Sequence, residues 1–276
     1  MAIGIFLAAS SVGGVVFIQI AKAHIGEGWR VAATWMSIFG AIMTLIPVLF
    51  LREKPADKNT VIDGKLQPIA LQNIEKSILG NISLPQALRM PIFYLVVITT
   101  CILWFCINGF MQNQGFYYKD LKIESATGAN IATLFSVCAI IGKLLFGFLS
   151  DKFDKGTMML AAIVCLTMGC VLLKWSASNT AYLIPFALIF GLGFSGSFTM
   201  IQLWVARLFY GDSYGRILGV ITMADTLAGS YGIVQMGAMR EKQGNYIGAF
   251  FLMIILCCVA VVSTYLVKRI AKSNHS

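Results

Sequence analysis

Eight nearly continuous apolar runs, each long enough to cross a bilayer as a helix, constrain this chain more than any other feature. They lie near 2–24, 30–51, 92–114, 126–149, 157–175, 181–206, 216–239 and 246–268. Crossing the hydrocarbon takes about 20 residues of helix, because lipid offers backbone N–H and C=O groups no partner and a helix satisfies its own. A barrel strand would alternate apolar and polar residues, and these runs do not. The pattern predicts an all-α, polytopic membrane bundle of about eight transmembrane helices. Composition agrees: 58% of residues are hydrophobic and only 12% charged, against about 25% charged in soluble domains. Such a chain has too little polar surface to cover itself in water, so the lipid bilayer is its expected solvent.

The basic residues predict an orientation, since cytoplasmic connections are enriched in Lys and Arg. With the N-terminus inside, the inner connections hold Arg52, Lys54, Lys58, Lys65, Lys76, Arg89, Lys152, Lys155, Arg207, Arg216, Lys268, Arg269 and Lys272. The outer ones hold Lys22, Arg30, Lys119, Lys122, Lys174, Arg240 and Lys242. The excess predicts both termini in the cytoplasm, with the chain in the cell (cytoplasmic or inner) membrane. Residues 52–91, polar and punctuated by Pro55, Pro68 and Pro85, read as a cytoplasmic linker. It separates two transmembrane helices (1–51) from six (92–276). The first run has no charged segment before it, no small-residue cleavage site, and another span directly after it, so it reads as a helix rather than a signal peptide. A chain entering the membrane without a flank is expected to lack something upstream.

Several function classes are disfavoured. The seven cysteines all fall in apolar runs without Cys-x-x-Cys spacing, and the only histidines are His24 and His275. No metal site or cofactor is expected from such a set. The net charge of +9 is scattered through connections rather than gathered on one face, which argues against a nucleic-acid partner. No nucleophile elbow, metalloprotease motif or P-loop occurs, so an enzyme is not expected. Gly191-Leu-Gly193-Phe-Ser-Gly196 spells a dinucleotide-binding fingerprint, but no strand precedes it and no acidic residue follows at the required distance. Inside an apolar run, close helix packing is the better explanation.

Two ionisable residues stand deep in apolar runs: Lys143 in 126–149 and Asp225 in 216–239. A charge at mid-helix costs ~2.5–3.5 kcal/mol even on the lenient insertion scale, so it normally faces a cavity or a partner. At ~1.5 Å per residue, Lys143 lies roughly 10 Å from the helix end near Ser150, and Asp225 roughly 13 Å from the one near Arg216. Similar depth and opposite sign predict a pair. Either it is a buried ion pair that fixes helix register, or Lys143 binds an anion while Asp225 modulates its charge or carries a proton. Polar Asn108, Gln112, Asn113 and Gln114 cluster at the outer end of 92–114. They suit a wet vestibule or an interfacial helix end; Gln202 and Trp204 in 181–206 could line a cavity, with helix packing the simpler reading of each alone. The turn from Gly147 to Gly156 is short and charged. Asp151 is placed to cap the following helix and Lys152 to pair across the turn.

A weak internal repeat is also present. Residues 4–30 overlie 219–246, with Gly4 on Gly219, Ala9 on Ala224, Gly14 on Gly229 and Ile18 on Ile233. Such repeats are common in secondary transporters. Here the first two helices would be the counterpart of the last two.

The turn Gly147–Lys155 resembles the signature of the major facilitator superfamily between its eighth and ninth helices, Gly-x-x-x-Asp-Arg/Lys-x-Gly-Arg. Gly147, Asp151, Lys152 and Lys155 match; Asp154 stands where glycine is usual, and Gly156 where the second basic residue is usual. Within that superfamily the chain looks like the monocarboxylate and oxalate–formate porters. The supporting pieces are Gly142-Lys143-Leu-Leu-Phe-Gly147, Arg207-Leu-Phe-Tyr-Gly211 with Tyr214-Gly215-Arg216-Ile-Leu-Gly219, and Gly28-Trp29-Arg30. The resemblance implies helices five to twelve of a twelve-helix fold, with an N-terminal segment of four helices missing. It implies alternating-access transport of a small solute, a carboxylate, with proton symport or exchange. It places Lys143 at the substrate carboxylate and Gly147, Asp151, Lys152 and Lys155 in a gating loop; the residues themselves make Asn108, Gln112 and Gln202 the further candidates for the substrate cavity and Asp225 the candidate proton or charge partner. Two departures follow. Ala139 stands where some relatives carry an aspartate, and Asp225 where oxalate–formate porters carry a basic residue, which speaks against a dicarboxylate. The alternative is a non-transporting remnant, or one subunit of a split carrier.

Overall fold

The computed structural model describes residues 2–50, 79, 82–209, 211 and 213–273. All eight apolar runs are helices, and among the described residues there is no strand. The helices are α1 (Ala2–His24), α2 (Trp29–Phe50), a one-turn α3 (Leu84–Ala87), α4 (Pro91–Asp120), α5 (Ser125–Lys152), α6 (Lys155–Ser176), α7 (Leu183–Phe209), α8 (Tyr214–Gln243) and α9 (Ile247–Ser273). Helices α4 to α9 are each long and apolar enough to cross a membrane. Most of the expected linker at 52–91 lies outside the described residues; its described part contains α3, whose first turn is closed by Ser83 and Gln86.

The chain divides into two compact units: residues 16–75, and residues 1–15 together with 76–276. In the smaller unit, the end of α1 lies along α2. Phe17 meets Phe39 edge-on at 5.5 Å, and His24 stacks on Trp35 at 5.2 Å.

In the larger unit the six long helices follow one another in space as α5, α7, α6, α9, α4 and α8, each packed chiefly on its neighbours in that order. Glycine makes the tightest of these crossings possible. A Cβ on Gly193 would lie 2.4 Å from the backbone nitrogen of Leu166, and one on Gly169 would lie 2.8 Å from Cα of Phe190, so α6 and α7 meet backbone to backbone. A Cβ on Gly232 would strike the carbonyl of Phe105, which brings α8 onto α4. Between helices in lipid there is no hydrophobic drive, and close van der Waals contact supplies the attraction instead. The dinucleotide-like fingerprint is such a packing surface: Gly191 lies against Phe135 and Cys138 of α5, Gly193 against α6, and Gly196 against Phe146 and Ala162.

The two ends of this unit differ. At one end Asp120 accepts two hydrogen bonds from Arg240, at 2.7 and 2.5 Å, tying α4 to α8. There Tyr117, Phe110, Phe186, Tyr246 and Phe250 form a chain of edge-on rings, and the Tyr117 hydroxyl lies 2.7 Å from Ser176 Oγ. Lys122, at φ 56°, and Gly244, at φ 71°, take left-handed conformations in the turns after α4 and α8. Glycine adopts that geometry at no steric cost, and Lys122 is held by hydrogen bonds to Lys119 and from Ile123 to Tyr118. The opposite end carries the α5–α6 turn, the end of α7 and the end of α9.

Candidate functional site

Lys143 sits midway along α5 and is 2% exposed, among the largest fully buried side chains. Its position follows from Gly142, whose missing Cβ leaves room for Ser195, so that α5 lies directly on α7. The ammonium is then carried over two rings of α7, 4.6 Å from the centre of Phe198 and 5.7 Å from that of Phe194. Such cation–π contacts are worth about 2 kcal/mol when desolvated, comparable to the insertion penalty of the charge. Phe198 in turn meets Trp104 of α4 edge-on at 5.7 Å. A lysine from α5 therefore faces an aromatic wall built by α4 and α7.

The polar candidates extend that wall. Phe194, Phe198 and Gln202 are spaced by four residues on α7, and Trp104, Asn108 and Gln112 by four on α4, so each set shares one helical face. α4 and α7 run in opposite directions, which puts Gln202 on one side of the Phe198–Trp104 contact and Asn108 and Gln112 on the other. Gln202 is half-buried and Gln112 exposed. Asn108 is half-buried and closely packed against Gly229 of α8. Its neighbour Asn113 has a structural role: it donates to the carbonyls of Gly109, at 2.9 Å, and Ile233, at 3.1 Å, and accepts from the Tyr246 hydroxyl at 3.2 Å. Trp204 is buried on a different side of α7, away from the Phe194–Gln202 face.

Asp225 is 5% exposed on α8. Its nearest polar neighbours are Thr100 and Cys101 of α4, and its Oδ1 is buried without a hydrogen-bond partner. Among the described residues no ion pair joins it to Lys143. The expected direct pair is corrected for a reason of helix order: α5 and α8 stand at the two ends of the helix sequence in space. Residues on α4 lie between the two charges, since Thr100 and Trp104 are one turn apart, one near Asp225 and the other against Phe198.

The short charged turn also departs in detail. Asp154, not Asp151, caps α6, its Oδ2 accepting from the Thr157 amide at 2.9 Å and the Thr157 hydroxyl at 3.0 Å. Asp151 still belongs to the last turn of α5, because that helix runs on to Lys152. Lys152 lies over the ring of Phe148 at 4.5 Å instead of pairing across the turn. Gly147 is buried, Asp151 and Lys152 are exposed, and Lys155 is half-buried.

The aromatic wall is the part of the site that residue-type reasoning missed. Its only trace in the sequence is the four-residue spacing of Phe194 and Phe198, which core packing would also produce.

A profile of the Major Facilitator Superfamily matches residues 1–233 and, again, 113–276. The chain belongs to the major facilitator superfamily. It is 22% identical over 205 residues to an MFS-type transporter of Gibberella moniliformis, covering 73% of this chain and 45% of that protein. It is 28% identical over 149 residues to a phosphoglycerate transporter protein of Salmonella typhimurium, covering 52% and 32%. It is 22% identical over 239 residues to a membrane sensor protein of Escherichia coli, covering 80% and 53%. In fold it is similar to the fucose:proton symporter of E. coli, with a TM-score of 0.61 at 17% identity over 86% of this chain and 55% of that one. The chain thus spans about half the length of the curated relatives it matches. As a superfamily member with six helices fit to cross a bilayer, it is a multi-pass membrane protein.

Proposed function

We propose that this chain provides helices five to twelve of a secondary carrier that moves a small organic anion, a monocarboxylate, by alternating access with proton symport or exchange. The observation that carries the reading is the burial of Lys143 against Phe194 and Phe198 in mid-helix. An anion entering beside this ammonium gains a charge-assisted hydrogen bond in a low-dielectric setting, while the aromatic wall takes the apolar remainder of the molecule. Gln202 on one side, and Asn108 and Gln112 on the other, supply donors along the path. Phosphoglycerate, named for one relative, is likewise a carboxylate-bearing anion; fucose, named for the structural neighbour, is not, so the anion reading rests on Lys143.

Asp225 is assigned to the proton or to charge compensation. Its unpartnered oxygen offers a place where a proton relieves the cost of a buried charge. It acts on Lys143 across α4 rather than by contact. Gly147, Asp151, Lys152 and Lys155 form the gating turn. The chain is assigned no enzymatic activity, and both termini and this turn are assigned to the cytoplasmic side of the cell membrane.

The test is uptake of a labelled monocarboxylate by cells expressing the whole reading frame that contains this chain. Lys143→Ala is expected to abolish uptake while leaving the protein in the membrane; unchanged uptake would remove Lys143 from the site. The half-length coverage also fits a second reading, a non-transporting remnant or one subunit of a split carrier. The flanking DNA separates these: an in-frame upstream segment encoding further spans supports the carrier, stop codons support a remnant, and a separate gene for the other helices supports a split carrier.

A further inference from the structure

A second polar site lies well away from Lys143. Between α6, α7 and α9, at the end that carries the α5–α6 turn, is a cleft of about 300 Å3 lined by Arg207, Lys268, Lys272, Asp154 and Trp204. That volume is at the small end of the ~300–1,000 Å3 range of ligand sites.

The cleft is built by the same rules as the bundle. Lys268 and Lys272 are one turn apart on α9 and so project on one face, with the small Ala271 leaving the space between them open. Gly156 has no side chain, and the stem of Lys268 runs within 3.6 Å of where its Cβ would stand. The Lys268 ammonium donates to the Thr157 hydroxyl at 2.6 Å and lies 3.7 Å from Asp154. Arg207, in the last turn of α7, closes another side, and the buried Trp204 lines the cleft on the same helix. Arg207, Lys268 and Lys272 therefore line one cleft with Asp154, and the N-terminus of α6 borders the same space. Cations are favourable near helix C-termini, which accounts for Arg207 and Lys272 singly. It does not account for their convergence, from two helices, on a hollow that already holds a third cation.

We propose that this cleft binds a phosphate-bearing anion. Guanidinium and ammonium groups beside helical amides are the usual donors to phosphate oxygens. Basic pockets between transmembrane helices take anionic lipid headgroups. The shared chemistry is phosphate; its source is a headgroup of the adjoining leaflet or an anion in solution. No part of this rests on Lys143 or on transport.

The test uses the full chain in phosphatidylcholine nanodiscs, with the thermal midpoint followed as phosphatidylglycerol replaces part of the lipid, or as inorganic phosphate is added to the buffer. One of the two is expected to raise the midpoint in a saturable way. The double variant Arg207→Gln/Lys272→Gln is expected to weaken the half-saturating amount about fivefold per charge. Lys272→Arg keeps the charge and is expected to bind like the wild type, which distinguishes lost binding from lost folding. Arg269→Gln removes a charge at the same end of α9 without touching the cleft, and is expected to change little. A response to phosphatidylglycerol alone assigns the headgroup, and one to inorganic phosphate assigns the soluble anion. A midpoint indifferent to both, or equal losses in Arg269→Gln and in the cleft variants, overturns the proposal.

Discussion

At the scale of single residues, glycine and charge account for most of what is specific here. Gly193 and Gly219 show the difference between two glycines in equally apolar helices. A Cβ on Gly193 would meet the backbone of α6 within 2.4–2.9 Å, and backbone cannot swing aside; one on Gly219 would meet nothing within 4 Å. Gly193→Ala is therefore expected to destabilise the protein by about 1–3 kcal/mol, seen as a lower thermal midpoint in detergent. Gly219→Ala is expected to be neutral or to stabilise by up to about 1 kcal/mol. For Asp225, the unpartnered buried oxygen motivates a separate prediction. Asp225→Asn keeps the shape and removes the titrating group. It is expected to abolish proton-driven accumulation while retaining substrate exchange across the membrane. Accumulation at the wild-type level in that variant would take the proton role away from Asp225.

Helices α4 and α8 are tied together along much of their length. Gly232 lies against Phe105, Asn113 bonds the carbonyl of Ile233, and Asp120 clasps Arg240. This seam positions Asp225 against Thr100 and Cys101 and also holds the Trp104 face of α4 toward α7. The Asp120–Arg240 pair is about a third exposed, so its energy is screened by solvent. A double-mutant cycle with Asp120→Asn and Arg240→Gln is expected to give only a small coupling, as for other solvent-exposed pairs, measured by thermal denaturation. The two single variants are expected to impair transport by a similar factor, and the double variant no more than either, because each breaks the same tie. Additive losses would show that the two residues act separately.

At the scale of the larger unit, its six long helices alternate in direction. The α5–α6 turn, the end of α7 and the end of α9 meet in one cleft, while Asp120, Arg240 and Tyr246 gather at the other end. On the topology proposed above, the first group faces the cytoplasm. With the seven native cysteines replaced, a single cysteine placed by Phe153→Cys in the exposed α5–α6 turn is expected to resist a membrane-impermeant thiol reagent in intact cells. One placed by Asn245→Cys, between α8 and α9, is expected to react. The reverse pattern would invert the topology. Many apolar side chains of α5 and α8 are exposed in this chain, among them Ile141, Leu227 and Val234; in a bilayer such faces meet lipid or other helices without penalty.

The number and kind of elements were legible in the sequence because the bilayer makes a single demand, a long apolar helix, and eight runs meet it. Boundaries were less so. Helix α4 extends six residues beyond its apolar run, to Asp120, because Asn113, Tyr117 and Asp120 are satisfied by partners on α8, α6 and the start of α9. The two buried charges were visible for the same reason as the helices: lipid makes an ionised side chain conspicuous. What surrounds them was not. That Lys143 faces Phe194 and Phe198, that Asp225 sits across α4 instead of beside it, and that Asp154 does the capping are all set by which helix packs on which. So is the convergence of Arg207, Lys268 and Lys272, which stand up to 65 positions apart in the chain. Hydropathy is a property of one segment against lipid, and sequence records it directly. Helix neighbours are chosen by the match of small residues and close contacts between segments, and only the tertiary structure decides that.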